Sequence, residues 1–213
     1  MTITISGTSG VTYPNGGVDN TTGAGVGTTD TQTLTNKTLT SPTVNSPTIG
    51  GTPVMGASVI TSGTVQASTS GTSIDFTGIP SWVKRITVMF QGVSTNGTSL
   101  IQVQIGTSGG IQTTSYTSGA WGSNTTNSTS TTGLLISGQN GIAYFIDGIS
   151  TLALHSSATG LWVFSSVASG SVTGTSAVGG GAKTLSGTLD RVRITTVNGT
   201  DAFDAGSINI LYE

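Results

Sequence analysis

Asp201 and Asp204, separated by Ala202-Phe203, come closest to a chemical constellation in this 213-residue chain. Two carboxylates at that spacing are compatible with acid–base work on a glycosidic bond, or with oxygen ligation of Ca²⁺. They also follow Asn198-Gly199, and Asp beside such a dipeptide commonly accepts hydrogen bonds from turn amides. The turn reading is the favoured one. Asp75, Asp147 and Asp190 likewise fall beside expected turns or strand ends. His155 is the single histidine, so one chain cannot assemble a multi-histidine metal site. A Ser/His/Asp triad needs an oriented histidine and an exposed nucleophile, and the expected role of His155 is a polar residue at a strand end. With no cysteine, disulfides and thiolate–metal sites are excluded. No catalytic residue, metal ligand or cofactor site is assigned.

Binding chemistry has a better candidate. Tyr116-Thr117-Ser118-Gly119-Ala120-Trp121-Gly122-Ser123-Asn124, continuing through Asn127 to Thr132, is a long polar segment holding two aromatics. Rigid aromatics among Ser, Gly and Asn match the composition of adaptable recognition loops, and an indole face stacks on a sugar ring. Tyr116, Trp121, Asn124 and Asn127 are therefore the receptor-binding candidates. The competing and commoner reading is that Trp121 anchors the loop in the core or a subunit interface.

Net charge is −2, from six basic and eight acidic residues. That leaves no footprint for nucleic acid and no polybasic surface for a membrane. Arg191 and Arg193 share one face of an expected strand, where they are solvated or form inter-subunit pairs. The longest apolar runs, such as 143–146 and 161–164, are too short to cross a bilayer. The start, Met1 to Ser6, lacks the charged and apolar regions of a signal peptide. A soluble protein, or part of a soluble assembly, is expected.

The elements that must position these residues are β-strands. Thr, Ser and Gly make up about half of the chain, and only 7% is charged. Thr, Val and Ile suit pleated surfaces while Gly, Asn and Ser suit tight turns. From Ser73 onward, strands are expected near 72–76, 85–93, 99–105, 111–116, 133–137, 142–146, 151–155, 161–167, 189–197 and 207–212. Asn96-Gly97 suggests a type I′ hairpin joining the second and third of these, with Phe90 opposite Val103. In Leu161-Trp162-Val163-Phe164 both faces are apolar, so cover is expected on both sides: one the domain's own core, the other a neighbouring subunit.

Ahead of this domain, Leu34, Leu39, Val44, Ile49 and Val54 recur every five residues, with Pro42, Pro47 and Pro53 among them. An odd period scatters side chains over both faces of a flat strand, and the prolines exclude a helix interior. The backbone must bend or wind once per unit. One aliphatic group per five residues cannot offset ordering entropy, so the missing apolar surface is expected from identical chains. This is a thin, intertwined, homo-oligomeric shaft.

Thr31-Gln32-Thr33-Leu34-Thr35-Asn36-Lys37-Thr38-Leu39-Thr40-Ser41-Pro42-Thr43 resembles a stretch that recurs in tail-fibre and other virion appendage proteins of tailed bacteriophages. Phe76 to Pro80, Lys84 to Phe90 and the ending Phe203 to Glu213 are similar to phage structural domains. The resemblance implies a homotrimer located on the virion. Its N-terminus would anchor on other virion proteins, and its outward β-domain would serve host-surface attachment, with a cell-surface glycan as a candidate partner. It names no catalytic residues and leaves tail and capsid open. A length of 213 residues is short for a principal tail fibre, which raises a head fibre or decoration protein as the alternative. A polysaccharide depolymerase using Asp201 or Asp204 ranks last. A trimer would also bring three copies of His155 to its axis, which keeps ion binding there in view.

The expected organisation is all-β. Residues 1–27 form a particle-anchoring arm, 28–57 the five-residue-repeat shaft, 58–72 a linker, and 73–213 an antiparallel, jelly-roll-like β-sandwich head.

Overall fold

The computed structural model describes residues 11–12, 18–19, 60–122, 127–142, 144–170 and 175–213. The chain divides into two units, Met1–Val54 and Met55–Glu213. In the first, β1 (Val11–Thr12) and β2 (Val18–Asp19) pair antiparallel. The shaft residues Leu34, Leu39, Val44, Ile49 and Val54 lie outside the described residues.

The second unit is all-β, with no helix among its described residues. Its strands are β3 (Thr61–Ser62), β4 (Gln66–Ala67), β5 (Ser73–Thr77), β6 (Arg85–Thr95), β7 (Ile101–Thr107), β8 (Gly110–Ile111) and β9 (Thr117–Trp121). They continue as β10 (Asn127–Ser130), β11 (Leu134–Leu135), β12 (Ile146–Ser156), β13 (Leu161–Gly170), β14 (Thr175–Thr184), β15 (Arg191–Thr196) and β16 (Phe203–Tyr212). A nine-stranded sheet runs β10-β9-β14-β13-β12-β6-β16-β3, with β4 also on β16. A five-stranded sheet runs β11-β7-β15-β5, with β8 on β7. All pairings are antiparallel.

Period-two alternation builds the core. The large sheet turns Ile86, Val88, Phe90, Leu152, Trp162, Phe164, Ile208 and Ile210 inward, and the small sheet answers with Ile74, Phe76, Val103, Ile105, Val192 and Ile194. Each such side chain contributes about 1.5–3 kcal/mol by leaving water. The two sheets thus share one apolar layer, as in a β-sandwich.

Three expectations are corrected. First, β6 and β7 do not form a hairpin: β6 pairs with β12 and β16 in the large sheet, while β7 pairs with β15 and β11 in the small one. Neither Asn96 nor Gly97 has a positive φ, so the mirror-image turn is not made. The corner instead locks onto residues 198–202. Asn96 donates its N–H to the Ala202 carbonyl at 2.9 Å, and the Ala202 N–H returns a bond to Asn96 Oδ1 at 2.9 Å. Gly97 is needed for proximity, because a Cβ there would lie 2.1 Å from the Asp201 carboxyl carbon.

Second, the stretch taken as a linker belongs to the sheet. β3 and β4 cover the outer edge of β16, and Ser68 is fully buried with its hydroxyl donating to the Ala205 carbonyl at 2.8 Å. An uncovered edge along β16 would invite pairing with other chains.

Third, the expected strands at 111–116 and 142–146 shrink to β8 and to the first residue of β12. Meanwhile β14 forms where no strand was expected. Its Gly179-Gly180-Gly181 reads as a loop in sequence. Yet a Cβ on Gly179 would stand 2.2 Å from the Leu135 carbonyl oxygen, and one on Gly181 would stand 2.4 Å from that of Thr117. The glycines admit neighbouring backbone at close range.

Candidate functional site

The Asp201–Asp204 pair resolves into structure. Asp201 Oδ2 accepts the Ser99 N–H at 2.9 Å and Oδ1 accepts the Asn198 side-chain amide at 2.6 Å. These bonds, the Asn198 one foremost, hold its pKa below the ordinary value. Asp204 accepts the hydroxyl of buried Ser94. Both carboxylates therefore serve the crossing where β6 passes to β7 and β15 passes to β16. The turn reading describes Asp201, whereas Asp204 lies on β16 and takes a side-chain hydroxyl from β6. His155 is exposed near the end of β12, beside a register shift between Leu154 and Ser156. Among the described residues, no group of three or more His, Cys, Asp or Glu gathers as a metal site would require. Other carboxylates among the described residues are partnered too: Asp75 grips Arg193 through two bonds of 2.7 Å, Asp190 meets Arg191 at 2.6 Å, and Asp147 accepts the Gly92 N–H at 2.7 Å. The pairs expected from Arg191 and Arg193 are thus made within the chain.

The aromatic segment is divided by the fold. Tyr116 is only 2% exposed, so it is corrected from a surface candidate to a core residue. Ser115, with a left-handed φ of 60°, immediately precedes it. The Tyr116 hydroxyl accepts the Ile105 N–H at 2.8 Å and donates to the Gln112 carbonyl at 2.7 Å. Burial pushes its pKa up to about 12, the hydrogen bond from Ile105 offsetting part of the rise. Lys183, which sequence reasoning missed, is buried against the same ring. Its ammonium donates to the Thr114 carbonyl at 2.7 Å and lies 5.0 Å from the Tyr116 centroid. Burial pushes the Lys183 pKa down. Only its place in an inward-facing row of β14 betrays it, and that strand was not read from sequence. Asn124 lies outside the described residues.

Trp121 and Asn127 do come together, and on strands rather than a loop. They are register partners on β9 and β10. From Trp121 the register continues to Val178, then Val167, then Ile149, then Met89, and ends at Asn209. Residues in register on neighbouring strands face the same way. Trp121, Val178, Val167 and Ile149 are 51, 50, 61 and 51% exposed. They form a straight apolar row across the outward face of the large sheet, asparagine at either end. At about 4.8 Å per strand, the row from Trp121 to Met89 runs roughly 19 Å. The parallel row two residues along is small and polar: Gly119, Gly180, Ser165 and Thr151. The next holds Thr117, Ala182, Val163 and Ala153. Charge enters at the borders, with Asp147 on one side and Arg85, paired to Glu213, on the other. Of the double-sided cover expected for 161–164, the described residues make one side only, since Trp162 and Phe164 are buried while Val163 is 39% exposed.

One open cavity of about 300 Å³ lies at an end of the sandwich. Ser157, Thr159, Ser186 and Thr188 line it beside Leu154 and Trp162. Its polar groups are hydroxyls and one lysine, Lys84, with no carboxylate among the lining residues.

Comparison with protein-family models, with curated proteins and with solved structures finds no match to this chain.

Proposed function

We propose that this chain is a non-enzymatic structural protein of a bacteriophage virion. In this reading it is a trimeric fibre in which residues 1–27 dock on other virion proteins, residues 28–57 form the interwound stem and the β-sandwich is the head. Its task is attachment to the host surface, where three equivalent weak sites on one head hold a glycan array more tightly than one alone. The resemblance of residues 31–43 to virion appendage proteins supports the location. The single structural observation that supports a structural, assembling role over a catalytic one is the uncharged apolar row of Trp121, Val178, Val167, Ile149 and Met89. Contiguous exposed apolar surface is where proteins meet partners, and the carboxylates that would do chemistry are occupied in corner and strand contacts. The test is direct. The purified full chain should sediment at three times its chain mass and show an elongated stem with a compact end in electron microscopy. A folded monomer at micromolar concentration would remove the reading.

A second reading, a head fibre or capsid decoration protein, is favoured by that same apolar row, since a protein that cements a shell needs uncovered apolar surface to lie on it. Labelling intact particles with antibody to the head separates the two, by density on the capsid or on the tail. The depolymerase reading ranks last; release of oligosaccharides from host polysaccharide would restore it.

A further inference from the structure

We infer that the outward face of β9, β14, β13, β12 and β6 is covered by a second copy of this chain, the apolar rows of neighbouring copies packing against one another. The inference rests on the self-assembly in the reading above and adds the surface at which the heads meet.

Three observations select a copy of itself over other occupants. The first is charge. A symmetry axis parallel to the row brings each side chain beside its own duplicate, which an uncharged row permits and a charged one forbids. Trp121, Val178, Val167, Ile149 and Met89 carry none. Charged residues elsewhere in the unit lie at the margins of this face, on the small sheet, at the crossing corners or, for Lys183, on the inward side of β14. The second is relief. Gly119, Gly180, Ser165 and Thr151 beside the row leave low ground, so two copies approach without side-chain obstruction. The third is size. Five strands by about six residue rises give roughly 24 by 20 Å in projection. That is about 480 Å² in projection against the roughly 800 Å² per partner of a stable interface, so the face supplies a large part of one and the interwound stem of the proposed fibre would supply the rest.

Other occupants fit less well. A glycan is held by converging polar side chains, whereas Asn127 and Asn209 stand at opposite ends of the row, roughly 29 Å apart, with one indole N–H among apolar groups between them. A lipid surface calls for basic residues, whereas the nearest flanking charges are an aspartate and a cation already paired with Glu213.

The cysteine-free chain makes the test clean, because one introduced thiol is unique. Val167→Cys in the full chain reports on the face, and Ala158→Cys, in the exposed turn after β12, is the control. In the assembled protein, maleimide should label the Val167→Cys variant at least about tenfold more slowly than the Ala158→Cys variant. Adding Val178→Lys, which sets like charges against one another, should restore fast labelling, with the circular dichroism of the fold retained. Equal rates in a chain that sediments as a multimer would overturn the inference while leaving the fibre reading intact. Slow labelling in a dimer or tetramer would sustain this face and remove the three-fold fibre. Slow labelling in a chain sedimenting alone would overturn it in favour of cover by the chain's own N-terminal residues. Fast labelling in a lone chain would remove both.

Discussion

The two outward faces of the sandwich are finished in opposite ways. On the small sheet, the charged and amide side chains are answered from within the chain. Asp75 holds Arg193 on the neighbouring strand, and Gln104, in register with Arg193, donates to the Thr132 carbonyl at 2.8 Å. Gln102, buried under residues 130–133, accepts the hydroxyls of Ser130 and Thr132 at 3.2 Å each. On the large sheet, the described residues lay nothing over a row of apolar side chains and one indole. A face whose groups are satisfied internally has little left to offer a partner, whereas an uncovered apolar row gains by being covered. The difference teaches where to look for function in a protein with no catalytic constellation among its described residues.

Both faces hang on one core, so the largest effect should come from beneath them. Leu152 is fully buried on β12, between outward-facing Thr151 and Ala153. Leu152→Ala should cost about 3 kcal/mol in urea denaturation, and Thr151→Ala less than about 0.5 kcal/mol. Similar costs at both positions would mean that the large sheet is not one-sided in the way its burial pattern says.

The self-satisfied character of the small-sheet side can be probed at Tyr116. Replacing it with Phe orphans the buried Ile105 N–H and should cost about 1–3 kcal/mol. The pH profile sharpens this. The folded pKa of about 12 exceeds the ordinary 10.0, so the folded state holds the proton longer than the unfolded one. Its contribution is intact below pH 10 and is lost as pH rises toward 12. Tyr116→Phe should remove that alkaline decline; an unchanged profile would place the effect elsewhere.

The surface pair and the corner come next. Asp75 and Arg193 side chains are each about a third exposed, so the pair is worth no more than about 1 kcal/mol in a double-mutant cycle with Asp75→Asn and Arg193→Gln. Asp201 gives the acid counterpart. Its folded pKa lies below the ordinary 3.8, so its contribution is present above that value and fades as pH falls beneath it. Asp201→Asn should flatten the acid limb of the denaturation profile in that range. Failure to do so would mean the crossing corner is held without it.

Much of the scaffold was legible in residues 72–76, 85–93, 161–167 and 207–212, because period-two alternation reports which side chains leave water whatever they pair with; the observed strands overlap all four, and three of them run longer. Pairing was not legible. Asn96-Gly97 announces a tight reversal, but whether β6 meets β7 depends on residues 198–202, more than a hundred positions away, which take up the corner's hydrogen bonds. The three glycines of β14 failed for a related reason: their value is the neighbouring backbone they admit, which local propensity does not see. Trp121 was picked out for its ring, and the row it belongs to was hidden because Val178, Val167 and Ile149 gain meaning only through register across five strands. Tyr116 shows the converse, an aromatic with recognition composition around it that the core absorbs.

Val167→Thr should have the smallest effect, and one that depends on concentration. Val167 is 61% exposed within one chain, so in dilute solution its replacement should move the unfolding free energy by less than about 0.5 kcal/mol. If a second copy covers it, the assembled state gains stability by mass action, and the same substitution should weaken the protein increasingly as concentration rises. A side chain contributing only to one fold gives a constant difference between wild type and variant at every dilution. One contributing to an interface gives a difference that opens from near zero, so the slope against concentration, rather than the size of the loss, decides what this face is for.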